Sequence, residues 1–307
     1  MNATVTTVGL VGLGKMGGNM ARRLAKAGVS VVGYDIDTAT LAALQAEGAL
    51  KAADSLAAIV AALSAPRVVW TMLPSGPISQ ATLEALVPML SKGDVIIDGA
   101  NANYKDSQKR GAWLAEQGIG FIDCGVSGGV HGLANGYCLM FGGAADHVEK
   151  VKPIMQALAA APDRGWLHCG PIGAGHYTKM IHNGIEYGMM ESIAEGFALL
   201  DAKTEFALPA AQIAELWRSG SVVRSWLLDL TAEALQDPEK IKTIAPYVSD
   251  SGEGRWTVDA AVEQGVAAPV LALALMMRFA SQGKDEYAAK LLALMRQGFG
   301  GHAVKKA

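Results

Sequence analysis

Val5-Thr6-Thr7-Val8-Gly9-Leu10-Val11-Gly12-Leu13-Gly14-Lys15-Met16-Gly17 decides the fold of this chain. Val5 to Leu10 is a β-branched, apolar run that predicts a buried strand, and the helical pattern Met20, Leu24, Ala27 begins directly after the glycines. A Gly-x-Gly-x-x-Gly turn between a strand and a helix is the fingerprint of a dinucleotide site. Gly12 permits the tight turn, Gly14 lets the backbone approach a pyrophosphate, and Gly17 lets helix and strand pack closely. Free N–H groups at the helix start would hold the anion, so Gly12, Leu13, Gly14, Lys15, Met16 and Gly17 are the expected cofactor contacts.

Outward from the fingerprint, Val29 to Tyr34 reads as a second strand ending at Asp35. An acidic residue about 20 residues past the glycines is placed to accept hydrogen bonds from the adenosine ribose, and its charge would repel a 2′-phosphate. Asp35 therefore favours NAD over NADP. Asp37 competes for the same role, and either could instead cap the next turn.

Further strand-like runs recur at Val68 to Leu73, Val95 to Asp98, Phe121 to Cys124, Leu139 to Phe141 and Trp166 to Cys169, with helical patterns between most of them. This alternation predicts an α/β fold: a Rossmann-type, doubly wound, mostly parallel sheet over residues 1–171. From about Gly173 the strand signals fade, and Ala, Leu, Met and Glu at helical spacing predict an all-helical second domain over 172–295. The stretch Gly298-Phe299-Gly300-Gly301-His302 reads as too Gly-rich for a helix and opens an expected tail, 296–307.

With 51% hydrophobic and 18% charged residues in 307, the chain is globular and long enough for two domains. A formal charge of −3 gives no sign of nucleic-acid binding. The N-terminus enters a strand without a basic leader, and the longest apolar stretch, Val266 to Met277, contains Pro269 and is too short to span a bilayer. A soluble, cytoplasmic protein is expected, with no membrane partner. Cys124, Cys138 and Cys169 show no metal spacing and no redox pair, so they read as buried small apolar residues, and no metal is implied. Trp70 and Trp113 read as core or interface residues, and His147 and His168 as surface or capping residues.

The chemistry is concentrated in Val126-Ser127-Gly128-Gly129 and in Lys179-Met180-Ile181-His182-Asn183-Gly184-Ile185-Glu186-Tyr187. A helix turns about 100° per residue, so Lys179, His182, Asn183 and Glu186 share one face, with Lys179 and Glu186 roughly 10 Å apart along the axis. Such residues also suit a solvated face with an ion pair. Gly170, Gly173, Gly175, Gly184 and Gly188 argue for a site, because each glycine inside a helix costs about 1 kcal/mol against Ala unless something must approach the backbone.

These blocks, with Ile96-Ile97-Asp98-Gly99-Ala100-Asn101, Gly252-Glu253-Gly254-Arg255-Trp256-Thr257 and Phe299-Gly300-Gly301-His302, resemble the 6-phosphogluconate dehydrogenases within the β-hydroxyacid dehydrogenases. The resemblance covers nearly the whole chain and is most specific over Lys179 to Tyr187. It implies oxidative decarboxylation of 6-phosphogluconate to ribulose 5-phosphate and CO2 with NAD or NADP. It implies Lys179 as general base and Glu186 as general acid, with His182 and Asn183 holding substrate hydroxyls. Asn101 would touch both substrate and nicotinamide, Met72 and Leu73 the cofactor, and Ser127, Gly128 and Gly129 the carboxylate. Tyr187, Arg278, Arg296 and His302 would be phosphate and tail contacts, the last two reaching in from a neighbouring subunit of a homodimer or dimer of dimers.

The chain departs from the family's pattern at Ala102-Asn103, at Val130-His131 and at Ser251, where many members carry a lysine whose phosphate contact would fall to Arg255 or to another residue. It is similar to a short form lacking the second half of the helical domain. A 3-hydroxyisobutyrate-type dehydrogenase would share the fold, the Ser127 loop and Lys179, but has no use for phosphate ligands. Gly125-Val126-Ser127-Gly128-Gly129 also matches the Gly-x-Ser-x-Gly elbow of a serine hydrolase, a motif that needs a strand feeding straight into a helix. His131 reads as a loop residue near the substrate, and His176 as a helix-start neighbour of the site.

Overall fold

The computed structural model describes residues 6–305, so Val5, the expected start of the first strand, lies outside them. The chain divides into two compact units, Met1–Met180 and Ile181–Ala307. The expected change at 171/172 falls just before a long helix, and the division by contacts comes inside that helix.

The first unit holds one eight-stranded sheet: β1 (Thr7–Val11), β2 (Ser30–Tyr34), β3 (Lys51–Ala52), β4 (Val68–Thr71), β5 (Val95–Asp98), β6 (Gly120–Ser127), β7 (Cys138–Gly143) and β8 (Trp166–Gly170). Its helices are α1 (Lys15–Lys26), α2 (Thr38–Ala46), α3 (Leu56–Ala62), α4 (Pro77–Leu86), α5 (Tyr104–Glu116), α6 (Gly132–Asn135) and α7 (Ala145–Leu158). The strand order is β3-β2-β1-β4-β5-β6-β7-β8, and the order reverses between β1 and β4. In open α/β sheets that reversal opens a crevice at the carboxyl ends of the strands, where ligands bind. β4 and β5 are buried along their whole length, as expected of parallel strands covered on both faces. Val8, Leu10, Trp70 and Ile97 pack with Met20 and Leu24 of α1 on one side, and Val11 and Val69 pack with Ile59 of α3 on the other.

β6 and β7 pair antiparallel, and every other neighbouring pair is parallel. Only residues 128–137 join β6 to β7. A parallel return needs a crossover of about a dozen residues or more, so this short link forces the reversal.

The second unit contains α-helices and no strand among the described residues. α8 (Ala174–Ala202) begins in the first unit and is followed by α9 (Ala210–Trp217), α10 (Trp226–Leu235), α11 (Pro238–Thr243), α12 (Glu253–Gln264), α13 (Pro269–Ser281) and α14 (Glu286–Gly300). Tyr187, Ala274 and Leu275 form its cluster of buried residues, with Val258 and Phe279 against them.

Two expectations are corrected. Gly298, Phe299 and Gly300 are helical, because α14 continues to a left-handed cap at Gly301 (φ +64°), the conformation glycine adopts most readily after a helix. Of the three cysteines only Cys124 is buried; Cys138 is exposed at the start of β7 and Cys169 is intermediate. Trp70 is fully buried, as expected of a core residue. Among the described residues no helix is long and apolar enough to cross a membrane, and no His, Cys, Asp and Glu cluster could hold a metal ion.

Candidate active site

At the sheet's reversal point the three fingerprint glycines differ in what surrounds them. Gly12 has φ +89°, and a Cβ there would lie 2.5 Å from the Met72 carbonyl and 2.9 Å from Leu73 Cδ2. At Gly17 a Cβ would sit 1.9 Å from the Gly12 carbonyl oxygen. Packing therefore demands glycine at both. A Cβ on Gly14 would meet nothing within 4 Å, so this glycine faces open space at the α1 start, where no side chain caps the helix. An uncapped helix start beside open space suits an incoming pyrophosphate.

Asp35 directly follows β2 and is half-buried; its Oδ2 accepts the Leu13 N–H at 2.5 Å and its Oδ1 the Asp37 N–H at 2.8 Å. The carboxylate thus ties the glycine turn to the end of β2. Asp37 is differently employed. It caps α2, accepting from Ala39 N, Thr40 N and the Thr40 hydroxyl at 2.6 Å, and the Thr40 bonds hold its carboxyl below the usual range.

Asn101 is exposed on the loop between β5 and α5. That loop hangs on Asp98, which is 1% exposed, accepts the Ala100 N–H at 3.1 Å and pairs with Arg110 Nη1 at 2.8 Å. Removing one partner of a buried ion pair costs about 3–5 kcal/mol, because the other charge is left without compensation. Asn103 accepts the Lys105 N–H at 2.9 Å and caps α5. Sequence reasoning missed Asp98 and Arg110; a charged residue ending an apolar strand was the available signal.

Asp123, fully buried on β6, was also missed. Its Oδ1 accepts the Gly173 N–H at 2.7 Å and its Oδ2 the His176 N–H at 2.8 Å, anchoring the α8 start to the sheet. Glycines then bring helix and sheet together. A Cβ on Gly125 would lie 2.3 Å from Lys179 Cβ, and one on Gly175 would lie 2.5 Å from the Asp123 and Met140 carbonyl oxygens. Lys179 consequently rests on β6 with 7% exposure.

Ser127 ends β6 opposite Cys138, and Gly128 follows with φ +127° before a single 3-10 turn, Gly129–His131. Cys138 keeps one side open to solvent, yet the protein packed on its other side pushes its thiol up, and the Lys179 charge partly offsets the rise. His176, 1% exposed, lies with Nδ1 2.7 Å from Ser107 Oγ, while its Nε2 has no partner.

The same helix carries His182, Asn183 and Glu186 into the second unit. His182 Nδ1 lies 3.0 Å from Asn183 Oδ1 and 4.0 Å from Glu186 Oε2, and Glu186 is about two-fifths exposed at 41%. Asn183 is buried. Gly184 admits α12 against α8, since a Cβ there would lie 2.6 Å from Thr257 Cγ2.

Tyr187, on the next turn, has the Arg278 guanidinium stacked 3.4 Å over its ring, and its hydroxyl lies 3.3 Å from Ser251 Oγ. Ser251 in turn donates to Glu253, a carboxylate only 2% exposed, at 2.6 Å. Arg255 pairs with Asp250 and lies 4.5 Å over the Phe279 ring. The arginine considered as a replacement for the missing lysine is therefore engaged by a carboxylate. Arg296 is exposed on α14, and His302 follows that helix with its ring 6.4 Å from Phe299. Among the described residues no hydrogen bond or ion pair joins either to Tyr187 or Arg278.

Comparisons with known proteins agree over the whole length. Residues 7–173 match the NAD binding domain of 6-phosphogluconate dehydrogenase, and residues 175–306 match the C-terminal domain of that enzyme. The Bacillus subtilis protein YqeC, which carries a provisional 6-phosphogluconate dehydrogenase name, is 42% identical over 97% of this chain and 99% of its own. The NAD(+)-dependent, decarboxylating 6-phosphogluconate dehydrogenase of Haloferax volcanii is 37% identical over 97% of this chain and 98% of its own. An NADP(+)-dependent relative from Bacillus subtilis is also 37% identical, but the match spans only 62% of its length.

Among solved structures, Plasmodium falciparum 6-phosphogluconate dehydrogenase superimposes with a TM-score of 0.84 at 26% identity, covering 98% of this chain and 66% of that one. A Mycobacterium tuberculosis 3-hydroxyisobutyrate dehydrogenase, 24% identical with a TM-score of 0.72 over 92% of this chain and 94% of its own, shares the fold. Two matching domains and near-full-length relatives make the chain a member of the 6-phosphogluconate dehydrogenase family.

Proposed function

We propose that this chain oxidises and decarboxylates 6-phosphogluconate to ribulose 5-phosphate and CO2, with NAD as the preferred acceptor over NADP. The observation that carries the reading is α8, one continuous helix with a buried lysine at 179 and His182, Asn183 and Glu186 on the same face. Gly12 to Gly17, with Asp35, Met72 and Leu73, would hold the dinucleotide, which supplies the hydride acceptor when bound. The preference for NAD rests on Asp35, whose charge faces the ribose side of the glycine turn.

In this reading Lys179 takes the proton from the substrate hydroxyl as carbon 3 is oxidised. Its ammonium then polarises the resulting ketone and stabilises the enolate that forms as CO2 departs, a task other enzymes give to a divalent metal. Glu186 delivers a proton to carbon 1 of the enediol. Asn101 and the Ser127-Gly128-Gly129 turn orient the carboxylate end, while His182 and Asn183 hold hydroxyls. Tyr187 and Arg278 meet the phosphate end, joined by Arg296 and His302 of another copy in a homodimer or dimer of dimers. Arginine suits this because its planar fork matches phosphate oxygens.

Purified protein supplied with 6-phosphogluconate and either cofactor should release reduced cofactor and CO2 in equal amounts, faster with NAD. Turnover of an unphosphorylated hydroxy acid with none on 6-phosphogluconate would instead favour a 3-hydroxyisobutyrate-type activity.

A further inference from the structure

We propose that His176 is a positioning residue that clamps the loop carrying Asn101 to the turn of α8 carrying Lys179. The proposal rests on the reading of those two residues as reaction partners. His176 approaches α5 through one contact, Nδ1 to Ser107 Oγ at 2.7 Å. Ser107 Oγ also donates to the Asn103 carbonyl at 3.4 Å, and Asn103 caps α5 two residues beyond Asn101. With the hydroxyl proton directed at that carbonyl, the imidazole carries its own proton on Nδ1 and donates to Ser107. One chain of donors then runs from α8 through α5 to the Asn101 loop.

The other end of the clamp is equally fixed. The His176 N–H is held by Asp123 on β6 at 2.8 Å, and the same strand supports Lys179 through Gly125 one helical turn later. Tyr104 and Tyr177 meet edge to face, centroids 5.1 Å apart, along the same α5–α8 seam. Shape alone would be served by an apolar side chain, yet the ring here is polar, buried and unpaired at Nε2. Its Ser107 bond is what a leucine could not supply. Proton abstraction and hydride transfer must happen at one carbon, so a displacement of about 1 Å between the groups that hold it can cost about 100-fold.

The test compares His176→Leu, His176→Asn, Ser107→Ala and the Leu/Ala double variant with the parent enzyme. The asparagine amide can donate from near the Nδ1 position. His176→Leu and Ser107→Ala should each lower kcat about tenfold and raise the isotope effect on substrate deuterated at carbon 3, with cofactor Kd within twofold. The double variant should be no worse than the poorer single variant, because both remove one interaction. His176→Asn should recover most of the rate.

Additive losses, an unchanged isotope effect, or an asparagine variant no better than leucine would overturn the clamp. Should His176→Leu fail to fold, Ser107→Ala carries the same test with the histidine intact. Amide hydrogen exchange keeps the clamp separate from the substrate reading. Faster exchange over residues 101–107 in His176→Leu, with β4 and β5 unchanged, supports it even if the parent enzyme rejects 6-phosphogluconate. Unchanged exchange there overturns it.

Discussion

The two units differ in how much apolar surface each covers by itself. In residues 1–180, Val8, Leu10, Val69, Trp70, Ile96 and Ile97 are fully buried, and helices close both faces of the sheet. In residues 181–307, α14 buries none of its residues and leaves Tyr287, Leu292, Leu294 and Phe299 each more than half exposed, at 80, 58, 55 and 80%. Val270 and Leu273 on α13 are similarly bare, at 62 and 58%. The sheet unit closes its core within itself, whereas the helical unit leaves large apolar side chains of α13 and α14 exposed.

The largest expected effect separates the sheet unit from the chemistry it supports. Lys179→Met should lower kcat by about 10^3 to 10^4, the upper range for losing a general base, and leave cofactor Kd within about twofold. Steady-state turnover checks the first half, and titrating cofactor fluorescence against the variant checks the second. Retained turnover would remove Lys179 from its assigned role. Glu186→Gln should cost about 10^2 in overall turnover. Exchange of the carbon 1 proton of the product, followed by NMR, should slow at least as much; unchanged exchange would mean that another group protonates the enediol.

The comparison also explains what the sequence made legible. Local patterns with a fixed period announced themselves: the Val5 to Gly17 fingerprint, the buried run Val95 to Asp98, and the shared face of Lys179, His182, Asn183 and Glu186. Long-range pairings did not. Asp123 reads as one acid in an apolar strand until the fold brings the Gly173 and His176 amides to it. Asp98 looked like part of a motif and is also half of a buried ion pair with Arg110. β3 has two residues at the sheet's edge and carries no period at all. The end of α14 misled for a different reason: Gly298 and Gly300 are poor helix formers individually, yet the preceding Ala, Leu and Lys residues propagate the helix through them to Gly301.

A middle-sized effect bears on the helical unit. Deleting residues 296–307 should raise the substrate KM by about 10- to 100-fold, in line with losing one or two charge-assisted phosphate contacts, while cofactor Kd holds. Mixing Lys179→Met with the Arg296→Ala/His302→Ala double variant under conditions of subunit exchange should restore part of the activity, because some mixed sites regain an intact lysine and an intact tail. Verified exchange without recovery would confine the tail to its own subunit and break the contrast between the units.

The smallest expected effect lies wholly within the sheet unit, at Asp35. A unit charge about 6 Å from a phosphate at an effective dielectric constant near 20 contributes roughly 3 kcal/mol of repulsion per phosphate charge, before salt and solvent reduce it. A net shift of about tenfold in the NADP/NAD ratio of kcat/KM is therefore expected when that charge is removed. The hydrogen bonds decide which substitution is clean. Asp35 accepts the Leu13 and Asp37 N–H groups, so Asp35→Ser removes the charge and loosens the glycine turn together. Asp35→Asn keeps an acceptor for the Leu13 amide and should shift the ratio while costing NAD little; Asp35→Ser should shift it similarly and weaken both cofactors. Asp37→Asn is the control: its amide oxygen can still accept the Ala39 and Thr40 N–H groups that cap α2, and removing this charge should leave the ratio unmoved. Steady-state kinetics with both cofactors on the three variants reads all of this. A ratio that moves with Asp37 and not with Asp35 would reverse the assignment.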